Sequence, residues 1–130
     1  MTAPLSSSER EQRVAALRAI APFDRLADLE LALLVEVAAH RRYAPGAVVH
    51  HGEGGAPKLI MTIAGATRAA SGSNHPVAGL PSMFDPYAVE RLVADDTVGA
   101  ETLSLDRQTF FTVARECPAL IRGFLEGEGI

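Results

Sequence analysis

Apolar residues near the start of the chain recur at helical spacing. Val14, Leu17 and Ile20 follow the motif SSSE, which begins at Ser6 and has the spacing of a capping box. Because a proline disfavours helical backbone in the residue before it, Pro22 predicts the end of this segment. The pattern therefore predicts a first helix between Ser6 and Pro22.

A second helix is predicted to begin after Asp24 or Asp28 and to end near His40. Four apolar residues at helical spacing form one face of this helix: Leu26, Leu29, Leu33 and Val37. A surface helix usually turns its apolar stripe towards the core of its domain. We therefore expect this face to be buried.

After the second helix, short apolar runs alternate with segments rich in Gly and Pro. The runs are AVVHH, KLIMTIAG, ATRAAS, HPVAGL, RLVADDTV and ETLSLD. Many short strands at close spacing are typical of a β-sandwich or a barrel. Asp106 then predicts the N-cap of a third helix, which Pro118 interrupts before a last amphipathic segment. The predicted order is helices at about 7–40, a β-barrel at about 43–105 and helices at about 106–126.

Composition limits the chain to a few classes of protein. With 130 residues and 48% hydrophobic content, we expect one domain around a single core. The net charge of −4 argues against nucleic-acid binding, which usually needs a basic surface. The chain has a single cysteine, Cys117, and no signal-peptide pattern or apolar run of membrane-spanning length. These features favour a cytoplasmic protein that binds no membrane.

Short motifs with a fixed order run through most of the chain. They are Pro22-Phe23 with Leu26 and Leu31, Tyr43-x-Pro45-Gly46-x-Val48-Val49, Gly52-Glu53, Leu59-Ile60-x-x-Ile63-x-Gly65, and Leu103-x-Leu105-Asp106-Arg107-x-x-Phe110 with Pro118 and Leu120 behind it. Over about residues 20–122, this order resembles the cyclic-nucleotide-binding domain of catabolite-activator-type regulators and of cyclic-nucleotide-gated channels and kinases. The resemblance implies a mainly β fold with flanking helices, a double-stranded β-helix or jelly-roll barrel. It also implies that the Gly-rich run after His51 closes a hairpin and is not the phosphate site.

In the resembled family, a short segment that leads into a helix binds the cyclic phosphate. It reads roughly Phe-Gly-Glu-Leu-Ala-Leu-Leu, and Pro-Arg-x-Ala-Thr-Val follows a few residues later. Its Gly lets the backbone approach the phosphate, and amides at the helix start contact it. Its Glu holds the ribose hydroxyl, and its Arg neutralises the phosphate charge. The matching place in this chain runs from Ser82 to Val89.

The residues at this place depart from the family pattern. Phe84 fits it, but Asp85 puts a negative charge where Gly is expected, and Pro86 has neither an amide hydrogen nor a side-chain acceptor. The Pro-Arg-x-Ala-Thr pattern is missing, and the segment is about five residues shorter than the family pattern, roughly one and a half helical turns. The candidate pocket residues are therefore Phe84, Asp85, Pro86, Tyr87 and the nearby cation Arg91. We expect cyclic-nucleotide binding to be weak or lost.

Other reactive side chains have simpler interpretations. His50 and His51 are adjacent, so on a strand they point to opposite faces, whereas a shared metal ion needs His-x-His. Cys117 has no basic neighbour in sequence that would lower its pKa, so we interpret it as a buried helical cysteine. The remaining polar clusters are typical of turns and hairpin ends: Ser71, Ser73, His75, Asp95 and Asp96. We expect no enzyme activity, no metal and no cofactor.

Two functions stay open at the level of sequence. The favoured one is a degenerate cyclic-nucleotide-binding-like module that regulates or scaffolds through protein contacts. The alternative is a sensor of a cyclic dinucleotide or another small ligand, with Arg68, Arg91 or the SGSNHP loop in a remodelled pocket. The apolar surface of ALIRGFL after Pro118 exceeds what a barrel would cover, and so predicts a protein partner or self-association through the C-terminal helices.

Overall fold

The structure, a computed structural model, describes residues 6–52, 55–69, 72, 75–85 and 87–126. In this part of the chain, helices α1 (Ser7–Arg18) and α2 (Asp28–Val37) come first, separated by a 3₁₀ turn at Phe23–Arg25. Strands follow, and helices α3 (Arg107–Glu116) and α4 (Pro118–Glu126) come last. Of the residues discussed above, four lie outside the described ones: Glu53, Ser71, Ser73 and Pro86.

The start of α1 is determined by local hydrogen bonds. The Glu9 N–H donates to Ser6 Oγ at 3.1 Å, and the Ser6 N–H donates to Glu9 Oε1 at 3.4 Å. This reciprocal pair is the predicted capping box, which satisfies backbone donors that have no partner inside the helix. The helix ends at Arg18, before Pro22, so the predicted first helix is confirmed.

The strands form two antiparallel sheets. They are β1 (Ala39–Tyr43), β2 (Val48–His50), β3 (Lys58–Gly65), β4 (Thr67–Ala69), β5 (Val77–Ala78), β6 (Leu92–Ala94) and β7 (Ala100–Asp106). One sheet has the order β1-β7-β3-β5, and the other has the order β2-β6-β4. Strands distant in sequence therefore pair, as they do in a jelly roll. The predicted mainly β fold with flanking helices, a jelly-roll barrel, is confirmed.

The buried face of α2 differs from the predicted one. Of the predicted stripe, Leu26 is buried but lies before the helix, whereas Leu29 is 85% exposed and Leu33 and Val37 are also exposed. Leu31 and Leu34 are fully buried in the core instead. The sequence of this helix, DLELALLVEV, is apolar on most sides, so helical spacing alone allows more than one inward face. The packing of α2 against α1 and the barrel selects the face, and the predicted one was wrong.

The end of α2 also lies earlier than predicted. The helix ends at Val37, and Ala38 already has extended backbone angles. His40, which we expected at a helix end, is the second residue of β1 and lies opposite Leu103 of β7. Backbone pairing with β7 supplies hydrogen bonds along all of β1, which outweighs the weak local helical preference of Ala38 to Arg41.

A single apolar cluster joins the helices to one face of the larger sheet. It contains side chains from α1, α2, β3, β7, α3 and α4, among them Leu17, Leu34, Met61, Leu103 and Phe110. Phe110 contacts Phe124 with ring centroids 6.4 Å apart, and Phe124 contacts Phe23 edge-to-face at 5.8 Å. The aromatic residues thus connect the C-terminal helices with the 3₁₀ turn after α1.

The C-terminal helices begin where the sequence predicts. Asp106 Oδ1 accepts a hydrogen bond from the Thr109 N–H at 2.7 Å, which makes Asp106 the N-cap of α3. Cys117 is buried, as predicted, but it is the C-cap residue after α3 and does not lie within the helix, and α4 begins at Pro118. In α4 the apolar Leu120 and Phe124 pack into the core, while Leu125 is 82% exposed.

Candidate functional site

The segment between β5 and β6 contains Ser82 to Val89, the residues that the sequence comparison matched to the family's phosphate-binding turn. Gly79 has φ +89°, and a Cβ at this position would overlap the Lys58 carbonyl oxygen, so β5 must leave the sheet through a glycine. A 3₁₀ turn follows at Leu80–Met83, and the chain then runs without regular structure through the described residues up to β6. The Nε–H of Arg107 donates to the Met83 carbonyl oxygen at 2.8 Å and thereby holds this turn against α3.

Backbone donors in this segment are largely occupied within it. The Ser82 N–H donates to Gly79 O at 3.0 Å, and the N–H groups of Phe84 and Asp85 donate to Pro81 O at 3.1 and 3.0 Å. The Ala88 N–H donates to Asp85 O at 2.9 Å. An anion at this turn would have to compete with these internal acceptors for the same hydrogens.

The structure does not gather the predicted pocket residues around one cavity. Phe84 is 60% exposed and packs edge-to-face on Phe111, with ring centroids 5.8 Å apart. Asp85 Oδ1 accepts the Tyr87 N–H at 3.0 Å, and the Tyr87 side chain is 93% exposed. Arg91 is also exposed, and Pro86 lies outside the described residues. Their role in ligand binding therefore stays a prediction.

A small cavity does lie beside this segment, and it has other walls. Its volume is about 50 Å³. The walls come from β2, β3, β5, β6 and the connecting turn: His50, Lys58, Ile60, Ala78, Gly79, Pro81, Ser82, Ala88, Val89, Glu90 and Leu92. Lys58 and Glu90 bring opposite charges to the rim, so the cavity has no net attraction for a phosphate. No short sequence motif joins all of these residues, because they come from four strands and from the segment between β5 and β6.

His50 closes one wall of the cavity through two hydrogen bonds. The Gly52 N–H donates to His50 Nδ1 at 2.9 Å, and His50 Nε2 lies 2.7 Å from the Ala56 carbonyl oxygen. Because a carbonyl oxygen only accepts, Nε2 is the donor in the second contact, whereas Nδ1 accepts in the first. His50 is 8% exposed, whereas His51 points to solvent. His50 is thus buried and stabilises the loop after β2, whereas His51, which follows the strand, is exposed.

The other potentially reactive side chains, Cys117 and Asp95, have structural roles. Burial raises the pKa of the Cys117 thiol, which disfavours the nucleophilic thiolate. Asp95 accepts hydrogen bonds from the N–H groups of Val98 and Thr97, which lower the pKa of its carboxyl and close the turn between β6 and β7.

Within the described residues, no three His, Cys, Asp or Glu side chains lie close enough together to hold a metal ion. No helix of the described part is long and apolar enough to cross a bilayer.

Solved structures match the fold at low sequence identity. The regulatory domain of Toxoplasma gondii PKA with cAMP has a TM-score of 0.68 and 14% identity, and the match covers 91% of this chain and 48% of that one. The regulatory subunit of a cAMP-independent protein kinase A from Trypanosoma brucei has a TM-score of 0.68 and 15% identity, with 92% and 48% covered. The sensor domain of the transcriptional regulator DNR from Pseudomonas aeruginosa has a TM-score of 0.66 and 16% identity, with 89% and 87% covered.

These comparisons bear on the fold and not on the ligand. No protein-family model matches the sequence, and neither does any curated protein. The chain spans about half the length of the two kinase regulatory structures and most of the DNR sensor domain. The sheet order, the flanking helices and these structural matches together show that the chain has the fold of a cyclic-nucleotide-binding domain.

Proposed function

We propose that this protein is a regulatory or protein-interaction module that binds cyclic nucleotides weakly or not at all. The observation that carries the proposal is the size of the cavity beside the segment between β5 and β6, about 50 Å³. Ligand pockets usually have volumes of roughly 300–1,000 Å³. A cyclic nucleotide therefore exceeds the available space unless strands or the connecting turn move apart.

Electrostatics supports the same proposal. Asp85 stands where the resembled family has a glycine, and its carboxylate would lie near an incoming phosphate. Among the residues that the structure describes, the cavity wall contains Lys58 but no arginine, and Glu90 opposes the charge of Lys58. Charge-assisted hydrogen bonds contribute about 1.5–3 kcal/mol each. Losing the family's Arg and Glu contacts would remove on the order of 3–6 kcal/mol, or roughly 10²–10⁴ in affinity.

The structural neighbours support a regulatory role without requiring the nucleotide. They are named as regulatory subunits, regulatory domains and a sensor domain, and one of them belongs to a cAMP-independent kinase. The same fold thus occurs in proteins that differ in their described use of cAMP. We include in the proposal a protein contact through the C-terminal helices, where Leu125 is exposed, and no catalytic activity.

Isothermal titration calorimetry with cAMP, cGMP and a cyclic dinucleotide tests this proposal. We expect no saturable heat at micromolar ligand, because the cavity is too small and its charges cancel. Micromolar binding of any of the three would instead establish a remodelled ligand sensor, the alternative function. In that case Arg68→Gln and Arg91→Gln, each compared with the wild type, would report which of these two candidate arginines contacts the phosphate.

A further inference from the structure

A second and larger concavity lies between α1 and the sheet that contains β1, β3 and β7. Its volume is about 230 Å³. The α1 side consists of Glu9, Gln12, Arg13 and Ala16, which recur on one face of the helix. The sheet side adds Arg42 of β1, Ile63 of β3 and Glu101 of β7. We refer to this concavity as the α1 cleft.

The α1 cleft contains two guanidinium groups whose hydrogen-bonding capacity is largely unused. The Arg13 side chain is 14% exposed, and its ion pair with Glu9 has a distance of 3.7 Å. Arg42 Nε lies 3.6 Å from Glu101 Oε2. Both distances exceed the usual range of a hydrogen bond, about 2.7–3.2 Å. Among the described residues, neither arginine side chain makes a hydrogen bond, so both retain donors for a planar carboxylate.

Two carboxylates line the same cleft. Glu101 Oε2 lies 2.6 Å from His40 Nε2, and this hydrogen bond, aided by Arg42 and opposed by partial burial, lowers the pKa of Glu101. Hydrogen bonds with Ser6 likewise lower the pKa of Glu9. Both glutamates are therefore ionised at neutral pH. A ligand with only a negative charge would be repelled by the two carboxylates of the cleft, and a ligand with only a positive charge would be repelled by the two guanidinium groups.

We propose that the α1 cleft binds a small zwitterion, namely a free α-amino acid. Its carboxylate would be held by Arg13 and Arg42, and its ammonium group by Glu9 and Glu101. The apolar wall formed by Ala16 and Ile63 would contact a short side chain. Only a ligand that carries both charges a few bonds apart satisfies both pairs of side chains at once.

The cleft is separate from the cavity beside the β5–β6 segment, because the two share no lining residue. The proposal therefore does not depend on whether the protein binds a cyclic nucleotide. A free amino acid, which is much smaller than a nucleotide, also suits the volume of about 230 Å³.

The first test is calorimetry with a panel of free amino acids at up to millimolar concentration. Each amino acid is compared with its two half-molecules, for example alanine with propionate and with ethylamine. We expect at least one amino acid to bind and its two halves not to bind, because each half is attracted by one pair of like charges in the cleft and repelled by the other. Absence of binding by every amino acid, or equal binding by propionate alone, would overturn the proposal.

The second test uses charge-removing variants of the cleft. Arg13→Gln and Arg42→Gln should each weaken binding of the amino acid about 10-fold or more. The Arg42 side chain is 78% exposed, so Arg42→Gln keeps the fold and remains informative if Arg13→Gln does not fold. Arg68→Gln, on β4 in the other sheet, is the matched control and should bind like the wild type. Unchanged affinity in Arg42→Gln and in a folded Arg13→Gln would rule out the cleft as the site.

Discussion

At the scale of single residues, neighbours in sequence have opposite roles. His50 and His51 are chemically identical, yet one ring is buried between two backbone partners and the other is exposed. Strand geometry predicts the opposite orientations, because successive side chains alternate across a sheet. It does not predict which ring is buried, since that depends on the loop after β2 folding back so that Gly52 and Ala56 reach His50.

Replacing the two histidines one at a time separates these roles. His50→Ala should lower the free energy of unfolding by on the order of 2 kcal/mol, because two hydrogen bonds are lost and the buried Gly52 N–H is left without its acceptor. His51→Ala should change it by less than about 0.5 kcal/mol. Urea denaturation followed by circular dichroism measures both. Equal effects of the two substitutions would contradict this assignment of His50.

At the scale of elements, the capped helix starts were the most predictable features. The caps at Ser6 and at Asp106 each form a hydrogen bond with the residue three positions later in the chain, so the sequence near each cap already contains its partner. The face of α2 was not predictable in this way. Within α2, two sets of leucines could face the core: Leu31 with Leu34, or Leu29 with Leu33. Only the packing of α2 against α1 and the barrel decides which set is buried.

The Asp106 cap predicts a pH-dependent contribution to stability. The Thr109 N–H lowers the pKa of Asp106 in the folded state, so the contribution is present above the unfolded pKa, about 4. It is lost as the pH falls through the lower folded pKa. Asp106→Ala should therefore cost about 1 kcal/mol at pH 7 and less in strong acid.

Asp106→Asn is the control for this prediction. An asparagine side chain still accepts the Thr109 hydrogen bond but does not titrate, so most of the stability at neutral pH should remain. Thermal unfolding of the three proteins between acidic and neutral pH provides the comparison. A cost of Asp106→Ala that does not change with pH would show that the carboxylate charge is unimportant to the cap.

At the scale of the whole molecule, the core covers most of the C-terminal apolar surface. Leu120 and Phe124 are buried, so the core covers more of the apolar surface after Pro118 than the sequence predicted. Among the large apolar side chains of the helices, Leu125 and the α2 residue Leu29 are the most exposed, and Leu33, Val37 and Phe111 are exposed to a smaller extent. Self-association through the C-terminal helices therefore depends mainly on Leu125 and stays a prediction.

Sedimentation velocity over a range of protein concentrations tests this prediction. We expect a reversible dimer that Leu125→Ser weakens, because a polar side chain removes apolar surface from the contact without disturbing the core. Leu29→Ser, which removes a similarly exposed leucine from α2, should leave the dimer unchanged. A monomer at all concentrations, or a stronger effect of Leu29→Ser, would count against the C-terminal helices as the contact.

The sequence alone determined the class of fold and the capped starts of α1 and α3. These features depend on apolar spacing, on turns and on hydrogen bonds between residues a few positions apart. The tertiary structure decided the inward face of α2, the strand that contains His40, the partners of His50 and the walls of both concavities. Each of these depends on contacts between segments distant in sequence, and the residues that line a cavity follow from how those segments pack.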